Sequence, residues 1–224
     1  MELAELAWDE VERRLRSSGT VLLPVGSVEE HGYHLPLGTD TMIAVAVCRE
    51  AAHRTGALLA PPVWYNFSRS TRGYPGTVMT GREELRGYIR GVLRGFEEGG
   101  FSRILVVPGH FSRGSVEALE EACAASEAVA EVFDFSSLDF SDVLESEPMH
   151  ACEAETSLML HLFPDRVRME LAVDEEIAFE GDMLRRTRSG VFGRPSMASA
   201  EKGRRIFERI VAELCARIQQ KPSP

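Results

Sequence analysis

Val21-Leu22-Leu23-Pro24-Val25-Gly26-Ser27-Val28-Glu29-Glu30-His31-Gly32-Tyr33-His34-Leu35-Pro36-Leu37-Gly38-Thr39-Asp40 decides how this chain is read. Its first five residues form a short apolar run, the mark of a buried strand. Two histidines and three carboxylates follow within Glu29 to Asp40. Met42 to about His53 then continues as a mostly apolar helix. The stretch is therefore strand, charged loop, helix. Charges crowded at a strand end are costly unless something neutralises them, and a divalent metal does so.

The same order recurs outward. Arg103-Ile104-Leu105-Val106-Val107-Pro108-Gly109 is the clearest strand, followed by His110 and a helix over about 115–126. Residues 3–16 read as a helix with Leu3, Leu6, Ala7 and Val11 on one face. Ala57 to Val63 reads as a strand that Pro61-Pro62 must end or place at an edge. Thr80-Gly81-Arg82-Glu83 reads as a capping box opening a helix that Gly99-Gly100 stops. Val129–Phe135 reads as a strand, Glu153–Phe163 as a helix, and Ala200–Gln219 as a last helix with Ile206, Ile210, Leu214 and Ile218 four apart. Lys221-Pro222-Ser223-Pro224 reads as a loose tail.

Alternating strands and helices imply an α/β fold, a single domain over 1–224, with a largely parallel sheet and helices on both faces. Such sheets bind ligands beyond the carboxyl ends of their strands. That places chemistry just after Val25 and just after Val107.

Composition narrows the class. A length of 224 residues, 44% hydrophobic and 27% charged, suits one soluble globular domain. A net charge of −10 argues against nucleic acid as a partner. The apolar runs are too short for a membrane span, and the acidic N-terminus lacks the features of a signal peptide, so a cytoplasmic location is expected. Cys48, Cys123, Cys152 and Cys215 are scattered without a CxxC pair, which excludes a structural zinc site of that type.

Four of the six histidines fall at three places. Glu29 and His31 lie two apart and share a side of an extended stretch. His110 follows the second strand. His150 precedes a helix carrying Glu153 and Glu155, and shares a face with Glu155 only if the backbone turns between them. Each has a plainer reading: Asp40 as a helix N-cap, Glu29 or Glu30 as solvated loop carboxylates, His110 as a core histidine, and His150 with Glu153 as a helix-start pair. His53 and His161 read as ordinary helix residues. Carboxylate and imidazole donors gathered at one sheet edge suit Zn²⁺, Mn²⁺ or Fe²⁺. A two-ion site of this kind activates water and polarises a carbonyl, which points to hydrolysis of an amide-like bond.

The stretch Leu23 to Asp40 resembles the leading motif of the creatininase (creatinine amidohydrolase) family. Tyr74-Pro75-Gly76-Thr77 resembles its FPGT segment. His150 to Ser157 resembles HAGExETS with Cys152 for glycine, and Gly190-Val191-Phe192-Gly193 through Lys202-Gly203 resembles its C-terminal stretch. The resemblance implies a metal-dependent amidohydrolase with two divalent ions per chain. Glu29 and His31 would bind different ions, Asp40 would bridge them, and His110 would join Glu29. His150 would be the acid–base residue, with Glu155 a ligand or proton carrier. Family activities include creatinine ring opening, deformylation of a formamidopyrimidine nucleotide, and cleavage of the mycofactocin precursor peptide. The wording from His150 to Val167 and the short chain resemble the last branch, a mycofactocin-type precursor peptidase. The resemblance also implies a homo-oligomer, with a ring-like hexamer as the family form, acting on a small-molecule or short-peptide amide.

One departure stands out. The family pattern around the second histidine is Asn-Gly-His-Gly-Gly-Asn, and creatininase has a glutamate two residues after it. Here the segment reads Pro108-Gly109-His110-Phe111-Ser112-Arg113-Gly114. Ser112 is a poor ligand, leaving Glu155 or water to complete the ion of His31 and Asp40. Arg113 is a new cation that would favour an anionic substrate group. Ser68 and Tyr74, with Arg69 and Arg72 nearby, sit in a loop expected near the substrate. A non-catalytic or single-metal binding protein on the same fold is the competing reading.

Overall fold

The computed structural model describes residues 1–176 and 187–220, so the tail at 221–224 lies outside the described residues. Four parallel strands, β1 (Thr20–Val25), β2 (Leu58–Leu59), β3 (Arg103–Pro108) and β4 (Val129–Val132), form one sheet in the order β2-β1-β3-β4. Among the described residues six α-helices accompany them: α1 (Trp8–Leu15), α2 (Thr39–Thr55), α3 (Arg82–Glu98), α4 (Arg113–Ala124), α5 (Glu153–Leu162) and α6 (Ala200–Gln219).

Alternation along the central strands builds two cores. Leu22, Leu105 and Val107 pack with Ile43 and Val47 of α2, Leu158 of α5, and Ile206 and Ile210 of α6. Val21, Leu23, Val25, Ile104 and Val106 pack on the other face with Leu85, Ile89 and Leu93 of α3 and Leu119 of α4. Adjacent β1 and β3 therefore send their following helices, α2 and α4, to opposite faces. That divergence opens a crevice at their carboxyl ends, where open α/β sheets bind ligands.

Two glycines let α2 start inside this crevice. A Cβ on Gly26 would lie 2.3 Å from Thr41 Cα, and one on Gly109 would lie 2.2 Å from the Asp40 carbonyl oxygen. Both strand ends thus need glycine so that the first turn of α2, carrying Asp40, can sit between them.

Several expected boundaries shift. The segment 3–16 is a 3₁₀ turn (Leu3–Glu5) and then α1, because Ala7 is extended and its amide donates to Glu10 Oε2 at 2.9 Å. The capping box at Thr80 is absent. Gly81 is the N-cap, and both the amide and the hydroxyl of Thr80 donate to the Asn66 carbonyl oxygen instead. β2 is only two residues long and lies at the sheet edge, as Pro61-Pro62 requires. β4 stops at Val132, and Phe135 opens a 3₁₀ turn. The last helix has the expected bounds.

Candidate metal centre

The crevice holds two groups of donors. Glu29, Asp40 and His110 form one, and His31, His150 and Glu155 the other; within each, one donor atom per residue lies within 4.8 Å of the others. Glu29 and His31 come from the loop after β1, Asp40 from the first turn of α2, His110 from the end of β3, and Glu155 from α5. Asp40 is not the N-cap, since Gly38 holds that place. Its side chain turns into the crevice instead.

Asp40 joins the two groups. Its Oδ1 lies 2.8 Å from His31 Nε2, and its Oδ2 lies 3.2 Å from His110 Nδ1. Glu29 Oε2 lies 2.7 Å from the same His110 nitrogen. Ser27 Oγ sits 2.7 Å from Asp40 Oδ2 and 3.2 Å from Glu29 Oε2, and the Thr71 hydroxyl donates to Glu29 Oε1. His31 Nδ1 donates to the Glu29 carbonyl oxygen at 3.0 Å, so a metal here would meet Nε2.

The second group depends on a turn. Ala151 has a φ of 49°, the left-handed region, and this swings His150 and Glu155 to the same side. The His150 backbone is clamped by paired hydrogen bonds to Phe192, and its Nε2 lies 2.8 Å from the Glu30 carbonyl oxygen and 3.2 Å from Glu30 Oε1. Glu155 Oε1 is 3.9 Å from His31 Nε2, while Glu155 Oε2 is buried with no hydrogen-bond partner. An orphaned carboxylate oxygen in a group with the His31 and His150 imidazoles, and near the Asp40 carboxylate, fits a cation there.

Burial opposes charge on all these groups, and pairing decides most of them. Burial would raise the Glu29 carboxyl, but the His110 imidazolium brings it down to about 2. Asp40 is likewise held below the carboxylate range by His31 and His110. Burial would lower His110, yet Glu29 and Asp40 raise it to about 10. Asp40 similarly outweighs burial at His31 and lifts it well above 6.5. At Glu155 burial prevails and the pKa rises. Protons thus stand among these donors where a divalent cation would otherwise neutralise the carboxylates, and a bound cation would displace them.

His34 joins neither group. It is fully buried, its Nε2 lies 2.9 Å from Thr156 Oγ1, and burial lowers it to about 4.

The profile of the creatininase family (creatinine amidohydrolase) matches residues 4–218. The chain belongs to the creatininase family. Two relatives span almost its whole length. The mycofactocin precursor peptide peptidase of Mycolicibacterium smegmatis is 37% identical over 89% of this chain and 84% of its own. The creatinine amidohydrolase of Pseudomonas putida is 30% identical over 99% of this chain and 97% of its own. A crystal structure of creatininase superposes with a TM-score of 0.86 at 28% identity, covering 100% of this chain and 98% of that one. A zinc–zinc form of a creatininase variant (TM-score 0.85, 27% identity, 100% and 98% covered) and a manganese form (0.84, 27%, 100% and 99%) have the same fold.

Within this creatininase-type crevice the donors other than His31 line a cavity of about 150 Å³, together with Ser70, Gly109, Phe111, Ser112, Met149 and Phe192. The substrate residues expected from sequence do not line it. The Arg113 side chain is 93% exposed and pairs with Glu117 along α4, so it offers no anion pocket. Arg69 and Arg72 are also exposed. Ser68 is buried behind the cavity, bonding Ser70 and Thr71, and the Tyr74 hydroxyl bonds Thr187. Ser112 lines the cavity, but its hydroxyl donates to the Phe67 carbonyl oxygen at 2.8 Å.

Sequence reasoning missed Ser27, Thr71, Phe111, Met149 and Phe192. Ser27, two residues before Glu29, was open to detection as a local brace. Thr71 is 42 residues from its partner and carries no local signal.

Proposed function

We propose that this creatininase-family hydrolase uses two divalent ions, Zn²⁺ or Mn²⁺, to cleave a C–N amide bond in a small molecule or short peptide. The observation that carries the reading is the Asp40 carboxylate, whose two oxygens face histidines of different donor groups. Glu29, His110 and Asp40 Oδ2 would hold one ion; His31, Glu155 and Asp40 Oδ1 would hold the other. Glu155 then takes the place that Ser112 cannot fill.

Bound there, the ions supply an activated water and a polarised carbonyl. Ser27 and Thr71 hold Asp40 and Glu29 in orientation through their hydroxyls. Water adds to the amide carbon, the C–N bond breaks, and the leaving nitrogen takes a proton. His150 supplies that proton. With Nε2 tied to Glu30, its Nδ1 is the nitrogen left to exchange it. Phe111, Met149 and Phe192 present an apolar wall, which favours an uncharged substrate portion and supports a short peptide over creatinine.

Two broader points belong to the same reading. All four cysteines are free, in keeping with a cytoplasmic location. No described helix is long and apolar enough to cross a membrane. Exposed Trp8, Trp64, Tyr65 and Tyr88 fit burial between copies in a homo-oligomer.

The test is a screen of zinc- or manganese-loaded protein against creatinine, formamides and short peptides. Turnover should appear, and Asp40→Ala should abolish both it and metal retention. The activity loss should exceed the roughly 10²–10³-fold cost of removing one transition-state hydrogen bond. A wild-type protein that retains neither ion and cleaves nothing supports the binding-protein alternative instead.

A further inference from the structure

A second cavity adjoins the metal crevice. Phe111, Met149 and Glu155 line both. The second has a volume of about 120 Å³ and runs inward from exposed Ser136, Pro148 and Met149. Its inner end is made by Phe135, Leu158 of α5, and Ile206 and Ile210 of α6, all nearly or fully buried. Glu155 stands at the seam, and among the described residues no cationic side chain lines this second cavity.

Close-packed cores contain few voids larger than a water molecule. A void this apolar has too few polar partners to order water. An apolar cavity of about 150 Å³ accepts benzene, so one slightly smaller suits a branched aliphatic group. Its position matters as much as its size. A substrate carbonyl beside Glu155 would carry such a group across Phe111 and Met149 into the annex. A charged group there would lose hydration with nothing to replace it.

We propose that this annex is the specificity subsite, and that the substrate is an amide bearing a branched aliphatic side chain next to the scissile bond. The proposal rests on the reading of the crevice as a hydrolytic metal centre. It accounts for an uncharged site wall that the exposed Arg113 leaves without an anion pocket.

Two measurements test it. Acetohydroxamate and 4-methylpentanohydroxamate share one metal-chelating head and differ only in the tail. Calorimetry on the zinc-loaded wild type should show the longer probe binding at least tenfold tighter. Ile210→Phe fills the annex from α6, far from the donors. It should erase that gain while leaving acetohydroxamate affinity unchanged. A tail gain below tenfold, or one that survives in Ile210→Phe, overturns the proposal. The second measurement needs no variant and no metal: crystals pressurised with xenon should show an atom between Phe135, Leu158 and Ile210, and an empty annex overturns the proposal. If neither hydroxamate binds while xenon does, the hydrolytic reading fails and the subsite falls with it. If acetohydroxamate binds and the tail adds nothing, only the subsite fails.

Discussion

The two donor groups share one carboxylate and are built unlike each other. Glu29, Asp40 and His110 are each at most 7% exposed, come from two strand ends and a helix start, and are braced by Ser27 and Thr71. His150 and Glu155, with side chains 15% and 19% exposed, reach in from a turn at Ala151 and the short helix α5. One Glu155 oxygen has no partner. The first group is a buried, braced cage; in the second only His31 is equally buried, while His150 and Glu155 form a more open rim. Rigid support holds a metal tightly and correctly placed, whereas an exposed rim exchanges it more readily. On the proposed reading the pair would divide the work, the first group holding an ion tightly and the second holding one that exchanges more readily.

Glu155→Gln is the strongest way to break this contrast. Bound metal measured by atomic emission should fall from near two ions per chain to near one, with hydrolysis down by about 10²-fold or more. Loss of both ions would mean that the groups are not separable. Ser27→Ala should act on the other side and more gently. It removes a hydroxyl bonded to Asp40 and beside Glu29, so affinity for the tighter ion should weaken about 10–100-fold. Competition with a chelator reads this directly, and an unchanged tighter affinity would contradict the bracing role.

The smallest effect concerns the tie between the halves. His34 bonds Thr156 on α5 and has its pKa lowered to about 4, first by burial and then by His31 and Arg168. The neutral ring is the form that folds. Its stabilisation is fully present above the unfolded value of about 6.5 and is lost as pH falls from there toward 4. His34→Gln removes this dependence, so wild-type melting temperature should fall more steeply than the variant's between pH 6.5 and 4.5. Parallel curves would contradict the assignment.

Much of this was legible in the chain. Apolar runs at Val21 and Arg103, each followed by glycine, charge and a helix, were enough to read the parallel sheet and its ligand edge. The gathering of Glu29, His31, Asp40 and His110 in one crevice was legible because each follows or precedes an element by a few residues. The joining of His150 to Glu155 was legible only through the family resemblance, because the turn it needs hangs on one alanine in a left-handed conformation that sequence does not favour. Arg113 misled for the opposite reason. Its position after His110 was right, but it is the first residue of α4, and that helix points it outward to Glu117. The Thr80 capping box failed because Asn66, fourteen residues earlier, captures the threonine.

The number of ions the crevice takes up is the most direct test. Titration of metal-free protein with Mn²⁺ or Zn²⁺, followed by calorimetry in buffers of different ionisation heat, counts ions and released protons together. Two ions per chain, unequal in affinity and each uptake releasing protons from the histidines, is the predicted result. A single ion per chain, or uptake with no proton release, would contradict it.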